Sequence, residues 1–446
     1  MPPTLLSCGS NAGSHLAINH PNDVSVLTPT AYHPSLPPIS PSTRILQVVS
    51  ASAHSLLLLS SPNPVALNNG QGKGCRNVLL GAGTNTFGQL GPRCAFWDDV
   101  RPGGQWKMLN LCREYGLEAS WEPVKVAATW TTSFVVYQQV QEASSEGGAS
   151  EDPKESKIRQ VIISCGSNDF GELGSSTPLT LSGTPSPIHV SQASQKPTLV
   201  DAGLKPGERV QMIKGGQRHV VVVVGGLKGQ RIVGWGASRK GELSAATLSS
   251  VNAAGPSNKA KGKSKANLYS PTSPPTLIDL PLQPGQHVID IALGASHTLA
   301  LLSDGSVLGW GSNLKGQITG VHELGNVKAI AATWGGSYFL TSDGVYSQGS
   351  NTHSQLLRGQ ASSERGKINI PGGWQAKKIV AGTEHLLVLA RKDGQEDVLF
   401  SGGWNEHGNL AMGDERDRDA LERVELKGKV LGLWGGCAST WVWVEA

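Results

Sequence analysis

The sequence predicts an all-β fold, a seven-bladed β-propeller of four-stranded blades, and three observations predict it. Residues 291–318 hold a strand ending at Gly294, an apolar strand led by His297, an Asp304-Gly305 hairpin and a third strand. That third strand runs into Gly311-Ser312-Asn313 and Gly316-Gln317-Ile318. Alternating and β-branched apolar residues punctuated by Gly, Asn and Asp-Gly favour short antiparallel strands over helix. The module recurs seven times, and one copy cannot bury its apolar faces alone, so the copies must pack together. Finally, the chain begins with the second half of a module and ends with the first half. Seven complete blades therefore require residues 430–444 to pair with residues 5–16, closing the ring through the termini and protecting strand edges.

The second halves are residues 5–16, 78–90, 161–173, 232–243, 307–318, 345–356 and 398–410. Their marker glycines are Gly9, Gly83, Gly166, Gly236, Gly311, Gly349 and Gly403. The first halves are 48–59, 126–137, 210–224, 288–302, 327–340, 376–389 and 430–444. One propeller over 1–446 is expected, with insertions at 92–123, 139–160, 175–209 and 244–287. After the opening half-blade, 21–41 reads as a Pro/Ser-rich connection with little secondary structure. Residues 48–90 form the first complete blade, with a polar hairpin tip at 60–77. In the next insertion, 106–115 predicts one short helix, with Trp97, Trp106 and Trp121 as candidate packing anchors. The second blade carries an acidic loop (Glu142, Glu146, Glu151, Asp152, Glu155). Lys259, Lys261, Lys263 and Lys265 lie in a Ser/Pro/Gly-rich run. Both read as solvated loops, the lysines alternatively as a nuclear-import signal. The fourth, fifth and sixth blades are compact, and the last half-blade carries Trp434, Trp441 and Trp443.

Strand parity sorts the loops. If the strand ending at Gly294 runs upward, the turns before His297 and at 313–316 lie above, and hairpins and inter-blade connections lie below. The long insertions are read as hairpins or inter-blade connections, so they are expected to crowd one face and leave the other to tight turns. Aligned on the template, the tight-turn face carries Arg218, His353 and Glu384 together with a candidate partner-binding set. That set is Trp130, Trp334, Trp404, Phe87, Phe170, Arg239, Lys240, Lys315, Glu406 and His407. Exposed aromatics beside basic residues are the composition of a binding surface. Trp130 and Trp334, aligned with Gly294, either anchor a partner or fill space over the blade.

Composition narrows the function. The 56 glycines, roughly twice ordinary usage, suit a turn-dense β protein. A net charge of +4 is too small by itself to imply nucleic-acid binding. No apolar run is long enough to predict a membrane span, and MPPTLLSCGSN lacks the basic-then-apolar opening of a secretory signal. The six cysteines (Cys8, Cys75, Cys94, Cys112, Cys165, Cys437) form no C-x-x-C pair and read as buried repeat residues. A cytoplasmic or nuclear location is expected. Gly81-x-Gly83 and Gly234-x-Gly236 are strand-end turns with no following helix, so they are not dinucleotide fingerprints. Gly72-Lys73 lacks the Walker spacing. His54, His219, His297 and His385 share one repeat position, which suits structural hydrogen bonds better than metal. No paired carboxylates or Ser-His-Asp set stand out, so a non-catalytic protein without metal or cofactor is expected.

The string Gly-Ala-Ser-His-Thr-Leu-Ala-Leu, Asp-Gly, Gly-Trp-Gly-Ser-Asn and Gly-Gln resembles the regulator of chromosome condensation family. The resemblance covers nearly the whole chain outside the insertions and implies a seven-bladed propeller. The family includes a Ran exchange factor, ubiquitin-ligase modules and adaptors. Ala128-Thr129-Trp130, Ala332-Thr333-Trp334 and Gly403-Trp404-Asn405-Glu406-His407-Gly408-Asn409 look like the fungal α-tubulin suppressor, or killer-toxin-insensitivity, branch. The absence of a basic tail before the first strand points the same way. That branch implies an adaptor for a small CSL-type zinc protein in diphthamide synthesis, with a link to Elongator-dependent modification of tRNA wobble uridines. The metal chemistry would belong to the partner. The alternatives are a guanine-nucleotide exchange factor for a Ran-like GTPase and a chromatin or ubiquitin-pathway scaffold.

Overall fold

The computed structural model describes residues 3–36, 42–65, 75–92, 104–117, 120–140, 159–175, 196–244, 271–359 and 362–445. The chain opens with β1 (Thr4–Gly9) and β2 (Val24–Pro29). Blade one is β3 (Arg44–Ser50), β4 (His54–Val65), β5 (Cys75–Gly83) and β6 (Lys107–Met108). Blade two is β7 (Trp121–Ala128), β8 (Thr132–Gln139), β9 (Gln160–Gly166) and β10 (Thr198–Leu199). Blade three is β11 (Arg209–Gly215), β12 (His219–Gly226), β13 (Gly229–Ala237) and β14 (Thr272–Ile278). Blade four is β15 (Val288–Leu293), β16 (His297–Leu302) and β17 (Val307–Gly311). Blade five is β18 (Ala329–Ala332), β19 (Gly336–Leu340), β20 (Val345–Gly349) and β21 (Gly366–Ile368). Blade six is β22 (Gln375–Ala381), β23 (His385–Arg391), β24 (Val398–Gly403) and β25 (Arg418–Arg423).

The last strands, β26 (Lys429–Gly436) and β27 (Ser439–Glu445), join β1 and β2 in one sheet, order β2-β1-β27-β26. Here β1 pairs β27 without a break from Thr4↔Val444 to Gly9↔Ser439, so the termini close the seventh blade as the order of half-modules required. Blade four departs from the four-stranded expectation. Only a short link separates Ile318 from the next inner strand, and a 3₁₀ turn, Val321–Glu323, stands beside β17 in place of an outer strand.

Seven apolar clusters fill the seven seams between neighbouring blades. The second strand of each blade is covered on both faces, which explains its unbroken apolar runs. In β12, Val220, Val222 and Val224 pack toward blade two, whereas Val221 and Val223 pack toward blade four. Each such side chain contributes about 1.5–3 kcal/mol on burial.

The outer strands were hidden in segments read as loops. The 21–41 connection contains β2, and the 92–123 insertion contains β6. The helix expected over 106–115 shrinks to α1 (Leu111–Tyr115), capped by Asn110 and ended by Gly116 in the left-handed region. Trp106 is instead fully buried against Trp441 of the closing blade, ring centroids 5.6 Å apart. Trp121 is buried at the start of β7, and Trp97 lies outside the described residues. Outer strands carry little sequence signal because they are short and tolerate residues such as the Pro274-Pro275 pair of β14, which no inner strand would accept.

This overturns the sorting of loops by strand parity. The segments 93–103, 176–195 and 245–270 join the end of a third strand to the start of a fourth, not one blade to the next. In blade three, Ala237 pairs Thr272, and in blade two Ser164 pairs Thr198. Both ends of each segment therefore lie at the rim of the tight-turn face. Among the long segments, those of the β4–β5 and β8–β9 hairpins do open on the opposite face. The acidic and lysine-rich runs fall outside the described residues.

Candidate functional site

The tight-turn face is built from two rings of turns. An inner ring links the first and second strands of each blade, and an outer ring of tips follows each third strand. The first tip residue is bonded to the inner turn of its own blade: Thr84 N–H to Ala53 O, Ser312 N–H to Ser296 O, Trp404 N–H to Glu384 O. Within a tip, an asparagine accepts from the backbone five residues on, as Asn85 does from Leu90 (2.7 Å) and Asn405 from Leu410 (2.8 Å). A Gln or Glu carbonyl accepts from the backbone two residues before it, in Phe87–Gln89, Phe170–Glu172, Lys240–Glu242, Lys315–Gln317 and His353–Gln355 (2.7–2.8 Å). The residue after the tip is left-handed: Gly88, Gly171, Gly241, Gly316, Ser354, Gly408 and Ser14. The same turn position is held by Phe87, Phe170, Lys240, Lys315 and His353 in the five clamped tips, by His407 in blade six and by Gly13 in the closing blade.

Three sectors result. In blades one and two the tips are the exposed Phe87 and Phe170, and Arg218 lies 4.8 Å above the Phe170 ring. Arg218 also reaches the buried Glu172 at 3.3 Å; burial raises that carboxyl's pKa and the guanidinium opposes the rise. In blades three and four, Arg239, Lys240 and Lys315 stand exposed beside Leu314, which is 85% exposed. Among the described residues none of these three cations has a carboxylate within ion-pair distance. Lys240 Nζ donates to Ser296 Oγ (3.2 Å). In blades five and six the half-buried Trp404 lies between His353 (5.9 Å) and His407 (5.4 Å, edge-on), with Glu406 exposed beside it.

That third sector extends further than the sequence suggested. His407 Nδ1 meets Asp23 Oδ2 of the closing blade at 2.7 Å. Asp23 lies just before β2, inside the segment read as a connection with little secondary structure. Glu384, below Trp404, accepts from Gln355 Nε2 at 2.9 Å; burial pushes its pKa up to about 7 against that bond. His15 is fully buried nearby with neither ring nitrogen bonded, and burial holds its pKa near 4.

At the centre, Trp130 and Trp334 meet. Their rings stack at 5.0 Å and 32°, although blades two and five stand on opposite sides of the ring. They cover one end of a central channel of about 520 Å³ enclosed by the inner strands of all seven blades. The pairings Leu293↔Thr298, Ala128↔Ser133 and Ala332↔Ser337 align Gly294 with Thr129 and Thr333. The tryptophans thus correspond to Ala295, one place later than the sequence alignment had them. They fill space over the channel rather than over a single blade.

Beneath the face, the four recurrent histidines hold seams. His54 Nε2 meets Ser133 Oγ (2.9 Å), His219 meets Thr298 (3.1 Å), His297 meets Ser337 (3.2 Å) and His385 meets Thr440 (3.1 Å). Each partner belongs to the next blade. Burial lowers their pKa values to about 3 or 4. A second belt uses the residue before the marker glycine. Trp235 and Trp310 donate to the Glu172 and Glu242 carbonyls of the preceding blade (2.7 and 2.8 Å). Cys165 and Cys8 donate likewise to Gln89 and Asn409 (3.2 and 3.8 Å). Burial raises both thiols' pKa.

The match to known proteins runs through the same module. Residues 288–317 match the regulator of chromosome condensation (RCC1) repeat model. An RCC1 repeat-containing protein of Schizosaccharomyces pombe is 23% identical over 445 residues, 99% of each chain. The ultraviolet-B receptor UVR8 of Arabidopsis thaliana is 27% identical over 241 residues, and that match spans only 50% of this chain and 48% of the receptor. Among solved structures, Prp20p of Saccharomyces cerevisiae superposes with a TM-score of 0.64 at 16% identity, covering 100% of this chain and 92% of that one. With seven blades, terminal closure and this repeat, the chain is an RCC1-type β-propeller.

Proposed function

We propose that this chain is a non-catalytic protein-binding propeller that docks its partner on the tight-turn face. One observation carries the reading. Five clamped tips present Phe87, Phe170, Lys240, Lys315 and His353 around a stacked tryptophan pair, and Lys240 and Lys315 have no carboxylate within ion-pair distance among the described residues. Aromatic anchors with a basic rim suit an acidic protein surface.

We further propose that the partner is a small, acidic CSL-type zinc protein. The chain would then act in diphthamide synthesis and Elongator-dependent tRNA modification, in the cytoplasm or nucleus. The support is the resemblance of the Thr129-Trp130, Thr333-Trp334 and Trp404–His407 strings to the killer-toxin-insensitivity branch. The rival reading, nucleotide exchange on a Ran-like GTPase, rests on the likeness to Prp20p, whose binding to Gsp1p and histones was reported with its structure.

Calorimetry with a purified CSL-type zinc protein tests the proposal. Trp404→Ala should weaken binding roughly thirtyfold, the ~2 kcal/mol of a central anchor. Lys315→Ala should act mainly on the association rate at low salt. Unchanged affinity in Trp404→Ala and Trp130→Ala would move the site off this face. Acceleration of nucleotide release from a Ran-like GTPase, without binding to the zinc protein, would favour exchange.

A further inference from the structure

The docking face leaves the interior of the channel unused, and its charges are out of balance. Lys214, Asp290 and Lys378 line it, contributed by the inner strands of blades three, four and six. Lys125, Asp290 and Lys378 each directly follow the β-bulge of their strand, which places the three at one level. Lys214 lies two residues past the equivalent point of its own strand, Met212, toward the tryptophans. Blades three and six face each other across the ring, yet Lys378, and likewise Lys125 of blade two, has its pKa lowered by burial and then by the charge of Lys214.

Two ammonium groups thus line the space with one carboxylate, and Lys125, at the same level on blade two, brings a third positive charge within reach of Lys214. Lys378 Nζ donates to Leu433 O at 3.3 Å, and Asp290 accepts from Ile291 N–H at 2.9 Å. Among the described residues, none of the three lysines has a carboxylate within ion-pair distance. Like charges facing one another in a narrow passage focus a positive potential and are costly without a counter-ion. The inner edge of each inner strand has no neighbouring strand, so backbone groups there are also open to a ligand.

We propose that the channel binds a small phosphate-class anion, held by Lys125, Lys214 and Lys378, entering from the mouth opposite Trp130 and Trp334. Asp290 fits the same ligand. Hydrogen phosphate and singly protonated phosphate esters keep one P–OH, which a carboxylate can accept. Sulfate has no proton to give, so Asp290 would repel it. The channel's 520 Å³ exceeds the need of a bare anion and leaves room for the organic part of an ester.

Calorimetry on the full chain, with inorganic phosphate, phenyl phosphate and sulfate as separate probes, tests this. Phosphate should bind one per chain, and sulfate at least tenfold more weakly. Tighter binding of phenyl phosphate would assign the ester as ligand; equal or weaker binding would assign free phosphate. Lys214→Gln and Lys378→Gln should each weaken phosphate at least tenfold, while Lys367→Gln on the outer strand of blade five should change nothing. Neither channel variant should lower Tm in phosphate-free buffer, since each relieves repulsion. Asp290→Asn should narrow the phosphate–sulfate gap. No heat with any probe, or equal affinity in the wild type and Lys214→Gln, would overturn the proposal.

Discussion

Blades three, four and six build the inner turn with glycine and histidine, whereas blades two and five build it with threonine and tryptophan. In the first group the imidazole folds back over the residue three places earlier. A Cβ on Gly294 or Gly382 would collide with its own blade's histidine ring, and one on Gly216 would lie 2.5 Å from His219 Cε1. In the second group Thr132 and Gly336 replace the histidine, so Thr129 and Thr333 fit where blades three, four and six have glycine. Thr333 Oγ1 then accepts from Gly336 N–H at 3.0 Å and braces the turn. Without the imidazole, the next residue is free to be large and lean over the channel. Blades three, four and six therefore supply a seam histidine and blades two and five half of the aromatic lid, whereas blade one keeps His54 behind Ala51 and the closing blade, with Gly436 and Ser439, supplies neither.

Acid should separate the two groups most strongly. The unfolded chain binds a proton on each histidine near pH 6.5, whereas the folded chain refuses it until about 3 or 4. Stability is thus fully present above ~6.5 and is lost as pH falls toward 4, by up to ~1.4 kcal/mol per pH unit for each buried histidine. Four seam histidines and His15 together make a loss of several kcal/mol between pH 6.5 and 5. Denaturant midpoints across that range should fall steeply, and His219→Gln should remove about one histidine's share of the slope. A flat profile would break the comparison.

Steric exchange comes next. Gly294→Thr should destabilise by ~2–3 kcal/mol, because the new side chain overlaps the His297 ring and also crowds Thr333 O of the next blade. Adding His297→Gly removes the ring overlap but not the crowding at Thr333 O, so it should recover only part of that loss, less the missing bond to Ser337. Urea unfolding of the single and double variants measures it. A double variant less stable than the single one would show that the histidine, and not its clash, governs the site.

Much of this was legible because the module repeats. Seven marker glycines, six of them in Gly-x-Asn strings, and three Asp-Gly hairpins marked the blades, and the order of half-modules gave the closure seen between Thr4 and Val444. The outer strands were not legible. A two-residue strand such as Lys107–Met108 has no periodicity, and its residues face solvent on one side. That one omission misplaced three insertions. The candidate residues did reach a common face because tips are short and local. Asp23 and His15 were missed because they arrive from the far end of the chain, and only the closure places them beside blade six. The stacking of Trp130 on Trp334 has no local signal, since it depends on two blades facing each other across the ring.

The smallest expected effect tests whether the lid is a unit. Trp130 and Trp334 are half-buried, and each is also fixed by its backbone: Trp130 N–H donates to Gln217 O, and Trp334 N–H to Thr383 O. Removing either side chain should therefore leave the turns in place and cost mainly the aromatic contact. A pair at 5.0 Å contributes ~0.5–1.5 kcal/mol beyond its buried area. Trp130→Ala and Trp334→Ala should thus be markedly non-additive, the double variant being less destabilised than the sum by about that amount. Thr129→Gly, which leaves both rings intact, should show no such coupling to Trp334→Ala. If the tryptophans prove additive, they do not act together over the channel, and each would have to be explained within its own blade.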